Sequence, residues 1–158
     1  MFKTEVTDYK GRQRDISILD YPNVSTVDGQ DMGVRFGKVS RFCAGTQKLI
    51  QRYTLLMLTN IGSQTFFPNF GADFLWPLQA GISPTSRLEA FQIFYLADSA
   101  AVTIIKNYQI ANPDIPEDEQ LSFTELEDLA LYGGYVAFNV KLTTLAGNLS
   151  NFLIPLPK

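Results

Sequence analysis

The sequence predicts an α+β fold, with two main helices packed on a small antiparallel sheet of about three strands and an extended N-terminal arm. Three observations predict it. Residues 44–59 and 84–108 each space their apolar side chains with a helical period. Residues 135–142 alternate strictly between apolar and polar or small positions, the period of a strand. The order is helix, loop, helix, then short strands, which places the helices on one face of a meander. At 158 residues and 46% hydrophobic composition, one domain with an arm is expected, the arm spanning 1–40 and the domain 41–158.

In chain order, the arm has little apolar surface. Ile16-Ser17-Ile18-Leu19 is a short strand candidate ended by Asp20-Tyr21-Pro22-Asn23, and Gly29, Gly33 and Gly37 interrupt the rest of the arm. Such a segment cannot build a core alone. The first helix sets polar Gln47, Lys48, Gln51 and Arg52 on one side and Leu49, Ile50, Tyr53, Leu56 and Met57 on the other. Gly45-Thr46 is its expected start, with Thr46 as cap, and Gly62 is expected in a left-handed conformation beyond its end.

The 63–82 stretch holds Phe66, Phe67, Phe70 and Phe74 among Pro68, Asn69 and Gly71. Four phenylalanines so close together are expected to pack over the helix ends. Phe74 to Leu78 suits a single helical turn. The long helix starts either at Ser83-Pro84, with proline in the first turn, or at the capping box Ser86-Arg87-Leu88-Glu89. Its polar Gln92, Ser99, Thr103 and Lys106 share one narrow face. The remaining apolar surface is wide enough that the helix is either the spine of the domain or part of it faces a partner.

Asn112 to Gln120 is a proline-broken acidic loop, read as solvated. Strands are expected from Leu121, with a bulge near Glu125, then across Gly133-Gly134, a two-residue hairpin signal, and finally at Phe152-Leu153-Ile154. Pro155 and Pro157 remove two donors from the last strand. That edge is either protected by them or completed by another chain.

Chemistry is limited by what the chain lacks. It has no histidine and one cysteine, Cys43. Imidazole bases, Ser-His-Asp and Cys-His sites, disulfides and thiolate zinc clusters are excluded from its own residues. Glu117/Glu119 and Glu125/Glu127 are the available carboxylate pairs for glycoside hydrolysis, but no apolar neighbour would raise one pKa. Asp114, Glu117 and Asp118 lack the spacing of a calcium loop. Arg41 beside Cys43 would lower the thiol pKa, with no base to use it. No catalytic residue, metal or cofactor is expected.

The net charge is −3 and unevenly spread: residues 1–60 carry nine bases and six acids, residues 61–158 four and ten. No basic stripe for nucleic acid is present, while a bipolar chain suits docking to partners or copies. The start, Met1-Phe2-Lys3-Thr4-Glu5, lacks a signal-peptide core, and no window reaches about 18 apolar residues without a charge, so no membrane span is expected.

The string Leu58-Thr59-Asn60-Ile61-Gly62-Ser63, continued by Phe67-Pro68-Asn69-Phe70-Gly71, resembles the sheath-initiator or baseplate wedge family of contractile phage tails. That family is related to a type VI secretion baseplate subunit and carries an old lysozyme-like label. The resemblance runs from residue 43 to the end. Family members often carry Glu-Pro-Arg after the long helix, a grip on the wedge core bundle; here the equivalent positions are Gln109-Ile110-Ala111. The resemblance implies a structural, non-enzymatic subunit of the virion tail baseplate, made in the host cytoplasm and present in multiple copies, with six expected. Its implied partners are other wedge subunits, the tail sheath and the tail tube or hub, with no nucleic acid or membrane. It implies a C-terminal strand edge, Phe152, Leu153, Ile154 and Leu156, that templates the first sheath ring, and an arm that orders on a neighbour. Other readings are a tail-hub or adaptor protein and a peptidoglycan hydrolase.

Overall fold

The computed structural model describes residues 12–20, 33–34 and 42–157. The architecture is α+β. Helix α1 (Thr46–Met57), a short α2 (Trp76–Gln79) and α3 (Arg87–Ala111) precede a meander of β5 (Leu121–Leu131), β6 (Tyr135–Thr144) and β7 (Leu149–Pro157). Two small antiparallel pairs precede them: β1 (Asp15–Ile16) with β4 (Phe42–Cys43), and β2 (Leu19–Asp20) with β3 (Gly33–Val34). The single strand expected at 16–19 is thus two short pieces. The rest of the expected 1–40 arm lies outside the described residues.

In the meander, β6 is central and antiparallel to both neighbours. Its alternation sends Val136, Phe138, Val140 and Leu142 into the core, beside Phe152, Ile154 and Leu156 of β7. β5 slips register twice, at Leu121/Phe123 and Leu126/Asp128, the second close to the expected bulge. Each slip turns the strand so that Leu121, Leu126 and Leu129 all face the core despite irregular spacing.

The helices lie on that same face. Tyr53 of α1 meets Phe152 edge-on at 5.8 Å between centroids. Phe94 of α3 stacks on Phe138 at 5.4 Å, and Phe74 meets Phe138 edge-on at 5.2 Å. These rings are almost wholly buried. Burial of a large apolar side chain stabilises by about 1.5–3 kcal/mol, so this aromatic stack is a principal source of cohesion between the layers.

The helix ends depart from expectation in two places: α3 runs on to Ala111, which takes Gln109–Ala111 into the helix rather than after it, and the start of α1 differs. Thr46 does not cap α1; Gly45 does, at φ 65°, and Thr46 is its first residue. A cap of this geometry suits glycine, and no side-chain cap bond forms. For α3 the capping box is the true start: the Ser86 side chain accepts from the Glu89 N–H at 3.2 Å. Gly62 is left-handed at φ 79°, as expected.

A buried hydrogen-bonded node ties three elements together. Tyr53 Oη donates to Asp98 Oδ1 at 2.6 Å, and Thr124 Oγ1 donates to the same carboxylate at 2.8 Å. By length and composition α3 is apolar enough to cross a membrane. Here its Ala90, Phe94, Ala97, Ala101 and Ile105 ridge is packed in the core, and Asp98 at its middle is held by α1 and β5.

Candidate functional site

The candidate features lie at the two ends of the helical layer and along one edge of the sheet. At the first end, the acidic loop is solvated only in part: Asn112, Pro113, Asp114 and Glu117 are exposed, as its composition suggests, but two of its acids are not. Asp118 and Glu119 sit in a 3-10 turn (Glu117–Glu119) and are buried. The Arg12 guanidinium donates to both Asp118 oxygens at 2.7 Å. Lys48 Nζ donates to Glu119 Oε2 at 2.9 Å, and the Gly45 N–H donates to Glu119 Oε1 at 3.1 Å. The turn is therefore a clasp that binds residues 12–16 and the start of α1.

The polar face of α1 is part of the same clasp. Gln51, expected in water, is 5% exposed. Its amide donates to the Ile16 carbonyl and accepts the Ile18 N–H, both at 2.9 Å, which imitates a strand partner for the segment 16–18. Lys48 also donates to the Gln13 carbonyl at 3.1 Å. A segment short of apolar surface is held by backbone hydrogen bonds instead.

Beside the clasp lies a polar cleft of about 820 Å³, between residues 12–13, α1 and the loop after α3. The Arg52 guanidinium lies over the Tyr108 ring at 3.9 Å on its wall. Of the Glu-Pro-Arg-equivalent positions, Ala111 lines this cleft, Ile110 is 80% exposed and Gln109 is half-buried, all in the last turn of α3.

The carboxylates considered for hydrolysis are each engaged elsewhere, Glu117 apart. Glu119 is in the clasp. Glu125 and Glu127 each lie 3.6 Å from Lys141, and Glu127 accepts from Asn151. Among the described residues, no group of three Cys, Asp or Glu is placed to hold a metal ion. The Cys43 thiol has its pKa raised, first by burial and then by Asp15, the reverse of the activation that Arg41 suggests in the sequence. Arg41 itself lies outside the described residues.

At the opposite end, the 58–74 loop closes on itself. Thr59 Oγ1 donates to the Leu55 carbonyl at 2.6 Å, and the Thr59 carbonyl accepts the Ala72 N–H at 3.0 Å. Gly62 N–H donates to the Pro68 carbonyl at 2.8 Å, and Ser63 bonds the Asn60 carbonyl through both N–H and hydroxyl. Gly71, at φ 135°, lies so close to the Thr59–Ile61 backbone that a Cβ would collide with the Thr59 carbonyl. Asp73 adopts a left-handed φ of 53° and accepts the Ile61 N–H at 2.8 Å. The polar residues Thr59, Asn60 and Ser63 thus build the loop, and Leu58 and Phe70 root it against the core.

The four phenylalanines divide. Phe74 is core and Phe70 packs against it, but Phe66 and Phe67 are 89% and 67% exposed. The expectation that all four pack is wrong because the loop's own hydrogen bonds fix its path before Phe66 and Phe67 can reach the interior. Ile61, Trp76 and Ile82 are exposed nearby in the chain.

At the sheet edge, β7 has no partner on its outer side among the described residues. Phe152, Ile154 and Leu156 are buried in the core, and Leu153 is half-buried. The side chains of Phe152, Ile154 and Leu156 are therefore turned to the core, and what this edge leaves outward is backbone. Thr144 N–H donates to the Asn148 carbonyl at 3.0 Å, and hydrogen-bonded pairs alternate from there: Leu142 with Ser150, Val140 with Phe152, Phe138 with Ile154, Val136 with Leu156. The outward N–H groups then belong to Leu149, Asn151 and Leu153, and the next two outward positions are Pro155 and Pro157. The edge offers donors along its first half only. Compared with protein-family models, curated proteins and solved structures, the chain has no match.

Proposed function

We propose that the chain is a structural subunit of a contractile-tail baseplate, joining the wedge to the tail tube and sheath and templating the first sheath ring by adding a sheath strand to β7. On this reading it is a non-catalytic component of the virion, present in multiple copies, six by resemblance. The supporting observation is the outer edge of β7. It presents N–H groups at Leu149, Asn151 and Leu153 while the alternate side chains are committed to the core, so a visiting strand gains main-chain hydrogen bonds without disturbing the fold. The Leu58–Gly71 resemblance points to the same assembly.

Removing the last strand would also remove Phe152, Ile154 and Leu156 from the core. The sharper variant is Asn151→Pro, which deletes one outward donor at a position where proline is compatible with an edge strand. Particles carrying it should keep baseplates and tubes and lose sheath. Normal sheath on such particles would sink the strand-addition mechanism. A zymogram with Glu117→Gln, Glu119→Gln, Glu125→Gln and Glu127→Gln tests the hydrolase reading: clearing lost with a single change would displace the structural one.

A further inference from the structure

The loop end of the molecule carries more apolar surface than its fold uses. α1 and α3 run past each other so that Arg52 meets Tyr108, and Phe74, just beyond the loop, meets Phe94. The 58–74 loop and the N-terminal half of α3 therefore share one end. Phe66 and Phe67 project from the loop, and Leu88, Phe91, Tyr95 and Leu96 are 46–72% exposed on α3. The expected polar stripe of α3 is exposed throughout, at Gln92, Ser99, Thr103 and Lys106, and Gln92 stands among these apolar side chains.

The area is large. These six side chains leave on the order of 800 Å² in water, since each carries roughly 150–250 Å². That total matches the roughly 800 Å² that one partner gives to a standard interface.

The charge pattern selects the occupant. Between Arg52 and Asp73 there is no charged residue. The Asp73 carboxylate accepts the Ile61 N–H, and at the start of α3 stand Arg87 and Glu89, opposite in sign, with the exposed Asp128 carboxylate 3.3 Å from Arg87. The surface has nothing to offer a phosphate. Two copies can meet here with Arg87 of one beside Glu89 or Asp128 of the other, so that opposite charges face at the rim. The loop is already rigid, so little conformational freedom is lost when Phe66 and Phe67 are covered.

We propose that this end is a self-association surface, on which a second copy of the chain covers Phe66, Phe67 and the exposed face of α3 in a two-fold dimer. The proposal goes beyond the baseplate reading and does not depend on it. Sedimentation equilibrium on the full chain tests it. The wild-type chain should dimerise. Phe66→Ser with Phe67→Ser, and separately Leu88→Ser with Leu96→Ser, should each weaken the dimer by roughly thirty-fold or more. Below the dissociation constant of the dimer, where association adds no stability, their urea midpoints should match wild type, because these side chains are outside the core, and added salt should not weaken the dimer. Should the loop pair fail to fold, the α3 pair decides alone. A monomer up to the solubility limit, a dimer indifferent to both pairs, or a dimer dissolved by salt would overturn the proposal. Flotation with phosphatidylcholine vesicles that is lost in both double variants would assign the surface to lipid and overturn it as well.

Discussion

The two ends of the helical layer solve opposite problems with opposite chemistry. At the clasp end, charged residues are buried and nearly everything is satisfied within the chain: Asp118 by Arg12, Glu119 by Lys48 and Gly45, Gln51 by residues 16 and 18. At the loop end, uncharged residues are displayed and their large side chains touch little. The contrast teaches that polarity alone does not locate the surface of this molecule. Asp118 and Glu119 of the acidic loop are interior because cations come to them, and Phe66 and Phe67 are exterior because the loop backbone holds them away.

The largest expected effect breaks the clasp. Arg12→Ala leaves the buried Asp118 carboxylate without its bidentate partner, and loss of one member of a buried pair costs about 3–5 kcal/mol. Urea denaturation should show that loss; a change under about 1 kcal/mol, the range of surface pairs, would mean that the clasp end is no more buried in solution than an ordinary surface.

Next comes the loop. Gly71→Ala drives a Cβ into the Thr59 carbonyl at a φ that side chains avoid, and should cost about 2–3 kcal/mol. Gly62→Ala, left-handed but with open space around it, should cost only about 1 kcal/mol. Equal effects at the two glycines would remove the distinction between a close backbone approach and a turn preference, and with it the argument that the loop is rigid.

Between these lies the node joining the ends. Tyr53→Phe removes the hydrogen bond to Asp98, worth about 1.5–2 kcal/mol for a charged acceptor. Burial, and then Asp98, hold the Tyr53 pKa well above its ordinary value of 10. The folded chain keeps this proton where the unfolded chain loses it. The stabilisation is therefore complete below about pH 10 and declines as pH rises through the higher folded value. Absorbance titration should show one of the seven tyrosines ionising late, and Tyr53→Phe should lose that late step and alter the alkaline limb of the stability curve.

The layered arrangement was legible because period and punctuation are local. The two helices, the β6 alternation, the Gly133-Gly134 turn and the Ser86 cap all rest on neighbours within a few residues. The clasp was not legible, since Arg12 and Asp118 are 106 positions apart and no local pattern marks two charges that will meet. Gln51 was misplaced for a related reason: helical periodicity separates polar from apolar, but a glutamine can bury itself by acting as a strand partner. The loop motif was visible as a string, while its physical meaning required seeing Gly71 against Thr59. At β7 the sequence identified the strand and its prolines; only the register revealed that both prolines fall on the outer rail.

That placement of the two prolines limits what can pair with the open edge. An uncovered ribbon in a cell invites uncontrolled stacking of like upon like, the route to fibrils. Because the outer rail can donate only over its first few residues, a second such ribbon cannot zip along its whole length, and a short, well-matched guest is favoured over an endless pile of copies.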